Sequence, residues 1–239
     1  MCTLGRPRVS SVLFDFHTHT FFSDGELSPI ELLRRCHVAG YRAVAITDHA
    51  SPANVEDLVP SLARDCRIAE NAWGLIALPG VEITHVPPGD IDTVARRAAE
   101  AGAEFIAVHG ETIAEPVEAG TNRAALESEY VHSLAHPGLL SPELAQLAQR
   151  NNKWLELSAR RGHSLTNGHV AALARESGMR LLVNSDSHAP DDLLSESLAR
   201  RIARGAGLSA DETETVLTDN PLSFLSEIGR SILDTESSS

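Results

Sequence analysis

"DFHTHTFFSDG", residues 15–25, directly follows the apolar run "SVLF" at 11–14. In an extended strand, side chains two residues apart point to one side, so His17 and His19 face the same way with Thr18 turned opposite. Two imidazoles at one strand end can reach one ion, and Asp24 lies close enough downstream to add an oxygen ligand. "SDG" at 23–25 is also ordinary turn chemistry, so Asp24 carries a second, local reading. Asp15 precedes His17 by two residues and is expected on its side, either as a partner orienting the ring or as a plain polar strand residue.

Outward from this stretch, apolar runs alternate with helical patterns. The β-like runs are "SVLFDF" (11–16), "AVAIT" (43–47), "LIALPGV" (75–81), "FIAVH" (105–109), "SLAH" (133–136), "WLELS" (154–158) and "RLLVNS" (180–185). Runs that are apolar nearly throughout fit strands buried on both faces of a parallel sheet. Helix signals lie between them. Ser28, Pro29 and Glu31 read as an N-cap, a first-turn proline and the glutamate of a capping box, Ser141 and Pro142 open another helix, and Ser209 with Glu212 form a second box. Gly40, Gly102 and Gly178 close helices.

Strands alternating with helices fit either a closed α/β barrel or an open doubly wound sheet. The polar residues decide between them. The first run ends in His17 and His19, the second in Asp48 and His49, the third in Glu82, the fourth in His109, the fifth in His136 and the seventh in Asp186 and His188. An open sheet collects ligands at one switch point, whereas the rim of a barrel draws them from every strand. Six of the seven strand ends contribute here, so a barrel with its site at the C-terminal rim is expected. The remaining histidines have ordinary readings: His37 in mid-helix, His132 before the fifth strand, and His163 and His169 flanking the loop after the sixth, where surface exposure is the simpler reading and substrate contact the alternative. His85, three residues past Glu82, is near enough to the rim to touch a substrate.

The chain has 239 residues, 42% of them hydrophobic, and a net charge of −13 from 20 basic and 33 acidic residues. One domain over 1–239 accommodates this, with a core at about 11–230 and a frayed tail at 231–239. The acidic balance disfavours nucleic acid as a partner. No stretch approaches the roughly 18 apolar residues of a membrane span, and no secretion signal is visible. The three cysteines, Cys2, Cys36 and Cys66, have no paired spacing. A cytoplasmic protein is expected.

"DFHTHTFFSDG", "ITDHA", "PGVEI", "VHG", "LAHPG" and "NSDSHA", in this order, resemble the PHP (polymerase and histidinol phosphatase) family of metal-dependent phosphoesterases. The resemblance spans about residues 13–190 and implies a distorted TIM-like (β/α)7 barrel with two to three divalent cations. It implies His17, His19, Glu82 and Asp186 at a first metal, Glu82 with His109 and His136 at a second, and Asp24, His49 and His188 at a third. The intervals between these motifs leave no room for an inserted subdomain, as in the compact stand-alone members.

Imidazole and carboxylate ligands suit zinc, manganese or iron. Two such ions sharing a carboxylate would activate a bridging hydroxide as the nucleophile, and no protein nucleophile such as a GxSxG serine competes. Arg160 and Arg161 follow the sixth run, the one strand end without a ligand-type residue, and a guanidinium there can hold a phosphate bidentately. Arg123 is a further candidate, and Asn122 beside it reads as a helix cap. The expected activity is therefore hydrolysis of a small phosphorylated metabolite, most simply a phosphomonoester. The alternatives are a phosphodiesterase or 3′-end nuclease, an amidohydrolase-type C–N hydrolase, and a metal-dependent regulatory module. The only lysine, Lys153, sits at the entry of the sixth run, the wrong end for the carboxylated lysine many amidohydrolases use.

Overall fold

The computed structural model describes residues 12–232; residue 11 of the first expected strand, Cys2 and residues 233–239 of the expected tail lie outside it. The strands are β1 (Leu13–Asp15), β2 (Tyr41–Ile46), β3 (His49–Ala50), β4 (Ile76–Ile83), β5 (Phe105–His109), β6 (Ser133–Ala135), β7 (Trp154–Ser158) and β8 (Arg180–Asn184). The helices are α1 (Pro29–Val38), α2 (Val55–Trp73), α3 (Ile91–Glu100), α4 (Thr121–Glu127), α5 (Pro142–Arg150), α6 (Asn167–Ser177), α7 (Glu196–Gly205), α8 (Ala210–Glu214) and α9 (Asn220–Glu227). Strands pair in the order β1-β2-β4-β5-β6-β7-β8, all parallel, and β3 extends the line of β2 along β4. This is the expected seven-stranded barrel, with one short strand added.

The ring closes between β1 and β8 by other means than a regular ladder. Asn184 Oδ1 accepts from the Phe16 amide (3.0 Å) and Asp15 Oδ1 from the Ser185 amide (3.0 Å). Above them the chains exchange backbone bonds, Asp186 N to His17 O (2.9 Å) and His19 N to Ser187 O (2.8 Å). Two polar side chains thus take the amides that a ladder would have satisfied.

Strand periodicity divides the core into two shells. Leu13, Val44, Leu155, Leu157 and Leu181 face the helices, while Phe14, Phe16, Leu78, Phe105, Trp154 and Leu182 fill the barrel interior with Phe224 of α9. The Phe224 ring meets Phe16 and Phe105 edge-on at 5.0 and 5.2 Å, so aromatic packing plugs the end of the barrel opposite the site.

Caps explain most helix starts. Ser28, Ser141 and Ser195 accept from the amide three residues on, and Ser209 with Glu212 completes a capping box. The box expected at Ser28 forms only half, because the Glu31 carboxylate turns to Arg34 and Arg35. Cys36 and Cys66 are unpaired and buried. Among the described residues, no helix is long and apolar enough to cross a membrane.

Candidate metal centre

Asp15 sets the geometry of the opening motif. Its Oδ1 accepts from the His17 amide two residues on (3.2 Å), a local turn that interrupts strand alternation. As a result Phe16 and His17 both enter the barrel, and Asp15 lies on the other side, close enough for its charge to act on Cys36 and Tyr41. The expectation that Asp15 shares the side of His17 is corrected accordingly: it braces the His17 backbone and leaves the ring to other partners.

His17 and His19 come together over Glu82 and Asp186. His17 Nε2 lies 3.5 Å from Glu82 Oε1 and 3.8 Å from Asp186 Oδ1, and His19 Nε2 lies 3.4 Å from Asp186 Oδ1. His136 Nε2 joins them, 3.3 Å from Glu82 Oε1 and 3.7 Å from Asp186 Oδ2. To one side, Asp24 Oδ1 stands 3.3 Å from His49 Nε2 and 3.1 Å from His188 Nε2. Asp48 holds the loop that presents Asp24, accepting from Thr20 N (2.7 Å), Thr20 Oγ1 (2.6 Å) and Ser23 Oγ (2.6 Å). On the other side His109 packs against His136, with ring centres 4.5 Å apart. The nine side chains named from the sequence therefore meet at one rim.

Partners at Nδ1 fix the rings. His17 Nδ1 meets Glu156 Oε2 (2.7 Å), His49 Nδ1 meets Thr84 Oγ1 (2.7 Å) and Glu82 Oε2 (2.9 Å), His109 Nδ1 meets the Gly110 carbonyl (3.1 Å), and His188 Nδ1 accepts from Arg160 Nη1 (2.6 Å) beside the Asp186 carbonyl (3.0 Å). Each ring then turns Nε2 inward. The charges are strongly coupled. Burial opposes ionisation of Glu82 and Asp186, but His17 beside them holds both well below the carboxylate range. Burial likewise opposes a charged His17, yet Glu156, Asp186 and Glu82 hold its imidazole well above the usual value. His188 and His49 hold Asp24 low, and burial takes His109 down to about 4.

These groups fit divalent cations on their own evidence. His17 Nε2, His19 Nδ1 and Nε2, Glu82 Oε1 and His136 Nδ1 are buried without a hydrogen-bond partner, a state that is costly unless a ligand satisfies it. Ligand atoms of His17, His19 and Glu82, of His17, His136, Glu156 and Asp186, and of His19, Asp24, His49 and His188 each cluster within 4.8 Å. Backbone strain marks the same place. Of the four non-glycine residues with positive φ among the described residues, three are His85 (53°), His136 (24°) and Asp186 (54°), as expected where structure is held for function.

The site opens into a cavity of about 270 Å³ lined by Asp24, His49, Glu82, Thr84, His85, His109, Glu115, His136, Arg160, His163, Asp186 and His188. Arg160 reaches its edge, donating from Nη1 to His188 Nδ1 (2.6 Å) and more weakly to the Asp186 carbonyl (3.3 Å). Arg161 is exposed and does not line the cavity. Arg123 is paired with Glu143 (2.8 Å) on the outer surface, and Asn122 accepts from Glu111 N (2.9 Å) instead of capping its helix. A larger groove of about 750 Å³ runs beside β1, β8 and α7. It has no histidine, and its Arg200 is bonded to Glu196 and Glu214.

Three residues of the site escaped the sequence reading. Glu156 comes from β7, the strand whose end lacks a ligand, and alternation with Trp154 in "WLELS" is the signal that puts it inside. His163, expected at the surface, is buried with Nδ1 2.9 Å from Asp186 Oδ2. Glu115 arrives on the long loop between β5 and α4, 3.2 Å from His109 Nε2, and no local pattern announces it.

A parallel barrel that gathers histidines and carboxylates around one rim cavity is the arrangement of a metal-dependent hydrolase. The PHP domain family model matches residues 15–192, and the chain belongs to that family. An uncharacterized protein of Methanocaldococcus jannaschii is 46% identical over 216 residues, covering 90% of this chain and 99% of its own. A "probable phosphatase" of Caldanaerobacter subterraneus is 28% identical over 77% of this chain and 79% of its own. The 5′-3′ exoribonuclease Rnm of Escherichia coli is 32% identical over 70% of this chain and 50% of its own. Among solved structures, histidinol phosphate phosphatase of Lactococcus lactis, complexed with zinc, L-histidinol and phosphate, has a TM-score of 0.60. It covers 83% of this chain and 95% of its own at 14% identity, a likeness of fold.

Proposed function

We propose that this chain is a phosphoesterase that hydrolyses the phosphomonoester of a small metabolite with two to three divalent cations, zinc, manganese or iron. His17, His19, Glu82 and Asp186 would hold the first, Glu82, His109 and His136 the second, and Asp24, His49 and His188 the third. When bound, such cations supply Lewis acidity toward phosphoryl oxygens and make water a competent nucleophile near neutral pH.

One observation carries the reading. Asp24, Glu82, Glu115 and Asp186 line the cavity against the single guanidinium of Arg160, while buried Nε2 and Oε atoms beneath them lack partners. An anionic substrate enters such a site only with cations present, and those atoms are the place for them. The protein's own contribution is orientation. Asn184 Nδ2 donates to Glu156 Oε2 (3.0 Å), which fixes the His17 ring, and Arg160, anchored through Nη1 to His188 Nδ1 (2.6 Å), holds its guanidinium at the cavity edge, where it would meet a phosphate oxygen. His85, half exposed at the mouth, is placed to touch the alcohol side of the substrate.

The test is elemental analysis of the purified protein together with hydrolysis of an aryl phosphate monoester and the matching diester, with and without manganese or zinc. Two to three metals per chain and monoester cleavage, abolished in His17→Ala and Asp186→Ala, are expected. Cleavage of the diester alone would favour the nuclease-like reading, which the 32% identity to an exoribonuclease supports. Neither metal nor turnover would favour a regulatory module. A C–N hydrolase built on a carboxylated lysine is disfavoured, because Lys153 Nζ donates to the Val131 carbonyl (2.6 Å) and lines no part of the cavity.

A further inference from the structure

We infer that Glu115 is an additional cation ligand, delivered by the loop between β5 and α4 to the position of His109 and His136. The inference rests on the metal reading above and extends it to a residue outside the family pattern.

His109 has one nitrogen to offer. Its Nδ1 meets the Gly110 carbonyl, and its Nε2 faces Glu115 Oε2 at 3.2 Å. Donor atoms bonded to one cation at ~2.1 Å each stand about 3 Å apart at right angles, so a cation on His109 Nε2 finds this oxygen within reach. His85 Nε2 lies 3.9 Å from the same oxygen, and ligand atoms of His85, His109 and Glu115 fall within 4.8 Å of one another. A separate cation on that trio would need a second free nitrogen on His109, which it lacks. Glu115 therefore joins the cation that His109 already serves.

The other oxygen explains how the carboxylate is aimed. Glu115 Oε1 lies 3.2 Å from His163 Nε2, and His163 Nδ1 lies 2.9 Å from Asp186 Oδ2. His163 is a positioning residue, seated between two carboxylates and turning Oε2 of Glu115 toward His109. The loop itself is cross-braced. Glu111 Oε1 accepts from the amides of Gly120 (3.0 Å) and Asn122 (2.8 Å), and Asn122 Nδ2 donates to the Pro137 carbonyl (2.8 Å). Near its tip, Ala114 packs on Gly162, where an added Cβ would come within 3.1 Å of the Ala114 Cβ. Yet the Glu115 side chain is 41% exposed, against 1% for Glu82. The second position thus has one solvent-reachable ligand on a loop, as the third has in Asp24 at 53%, so a lost Glu115 carboxylate should show as a weakened site.

The test is titration of the metal-free full chain with manganese or zinc against a chromogenic chelator, with elemental analysis after dialysis, for the parent, Glu115→Gln, His109→Ala and the double variant. Glu118→Gln, a charge change on the same loop, is the control. Glu115→Gln is expected to weaken one class of site about tenfold or more and to lose one equivalent on dialysis, with Glu118→Gln matching the parent. The double variant should lose no more than His109→Ala. Parental stoichiometry and affinity in Glu115→Gln would overturn the inference. So would unchanged metal binding with tighter inorganic phosphate, which would make Glu115 an occupant of the phosphate position. The readout is binding, so absence of phosphoesterase activity leaves it standing, whereas a parent chain that binds no cation sinks both readings.

Discussion

Asp15 is fully buried, and its Oδ2 has no hydrogen-bond partner while Oδ1 serves the amides of His17 and Ser185. Burial pushes its pKa from 3.8 up to about 7. Between those values the folded chain holds a proton that the unfolded chain has released, so stability falls as pH rises across the window. The stabilisation is complete below about pH 4, and roughly 4 kcal/mol is lost by pH 8. Asn in this place keeps an Oδ1 acceptor and cannot ionise. In urea denaturation with chelator, Asp15→Asn is expected to gain on the parent by a few kcal/mol between pH 4 and pH 8. A constant difference between the two chains at both pH values would show that Asp15 ionises in the fold without cost. The same residue shows where a sequence stops being legible. "DFHTH" reads correctly as a strand end with two inward imidazoles, but whether Asp15 or Phe16 shares the side of His17 depends on one side-chain bond to an amide.

At the scale of elements, the strands and their ends were legible because a parallel strand buried on both faces is written as an apolar run, and the rim position of its last polar residue follows from the run. Glu156 was hidden because it sits inside such a run, and Glu115 and His163 because loop placement is set by tertiary contacts such as the Glu111–Asn122 brace. The loops also carry most of the exposed apolar bulk. Phe21, Phe22, Ile113, Leu139 and Leu165, five of the eight large exposed hydrophobics among the described residues, lie after β1, β5, β6 and β7, all on the side of the site. Phe21 and Phe22 pack edge-to-face at 5.1 Å, two and three residues from Asp24. Outside the cavity lining itself, side chains of this kind would, on the phosphomonoester proposal, favour an alcohol with a broad apolar or aromatic face. A Phe21→Ala/Phe22→Ala variant is expected to raise KM for a naphthyl phosphate about fivefold, consistent with ~1 kcal/mol of aromatic contact, and to leave KM for a short alkyl phosphate and the melting temperature unchanged. Equal change for both substrates would remove these rings from substrate recognition.

At the scale of the whole molecule, the site lies across the weakest join of the barrel. β1 and β8 share no regular ladder, and what bonds them are two side-chain acceptors and a few backbone contacts near Thr18 and Ser187. The proposed ligands on either side are His17 and His19 after β1, and Asp186 and His188 after β8. A cation held by both groups would close the ring as a staple, and its free energy of binding would become free energy of folding. With metal at about a hundredfold over its Kd, each site adds ~2.7 kcal/mol, or about 5–10 °C for a chain of this size. Chelation is therefore expected to lower the melting temperature by at least that amount. It should also speed hydrogen exchange at the Phe16, His19 and Asp186 amides more than in α3, which packs on β4 and β5 across the barrel from the seam. A loss of protection spread evenly over the barrel would mean that the cations stabilise the fold without stapling the seam. No change in melting would mean that these ligands hold no cation in the folded chain. The −13 charge sharpens the distinction, because relief of general acidic repulsion by salt acts on the whole surface, while ions at the seam act on it alone.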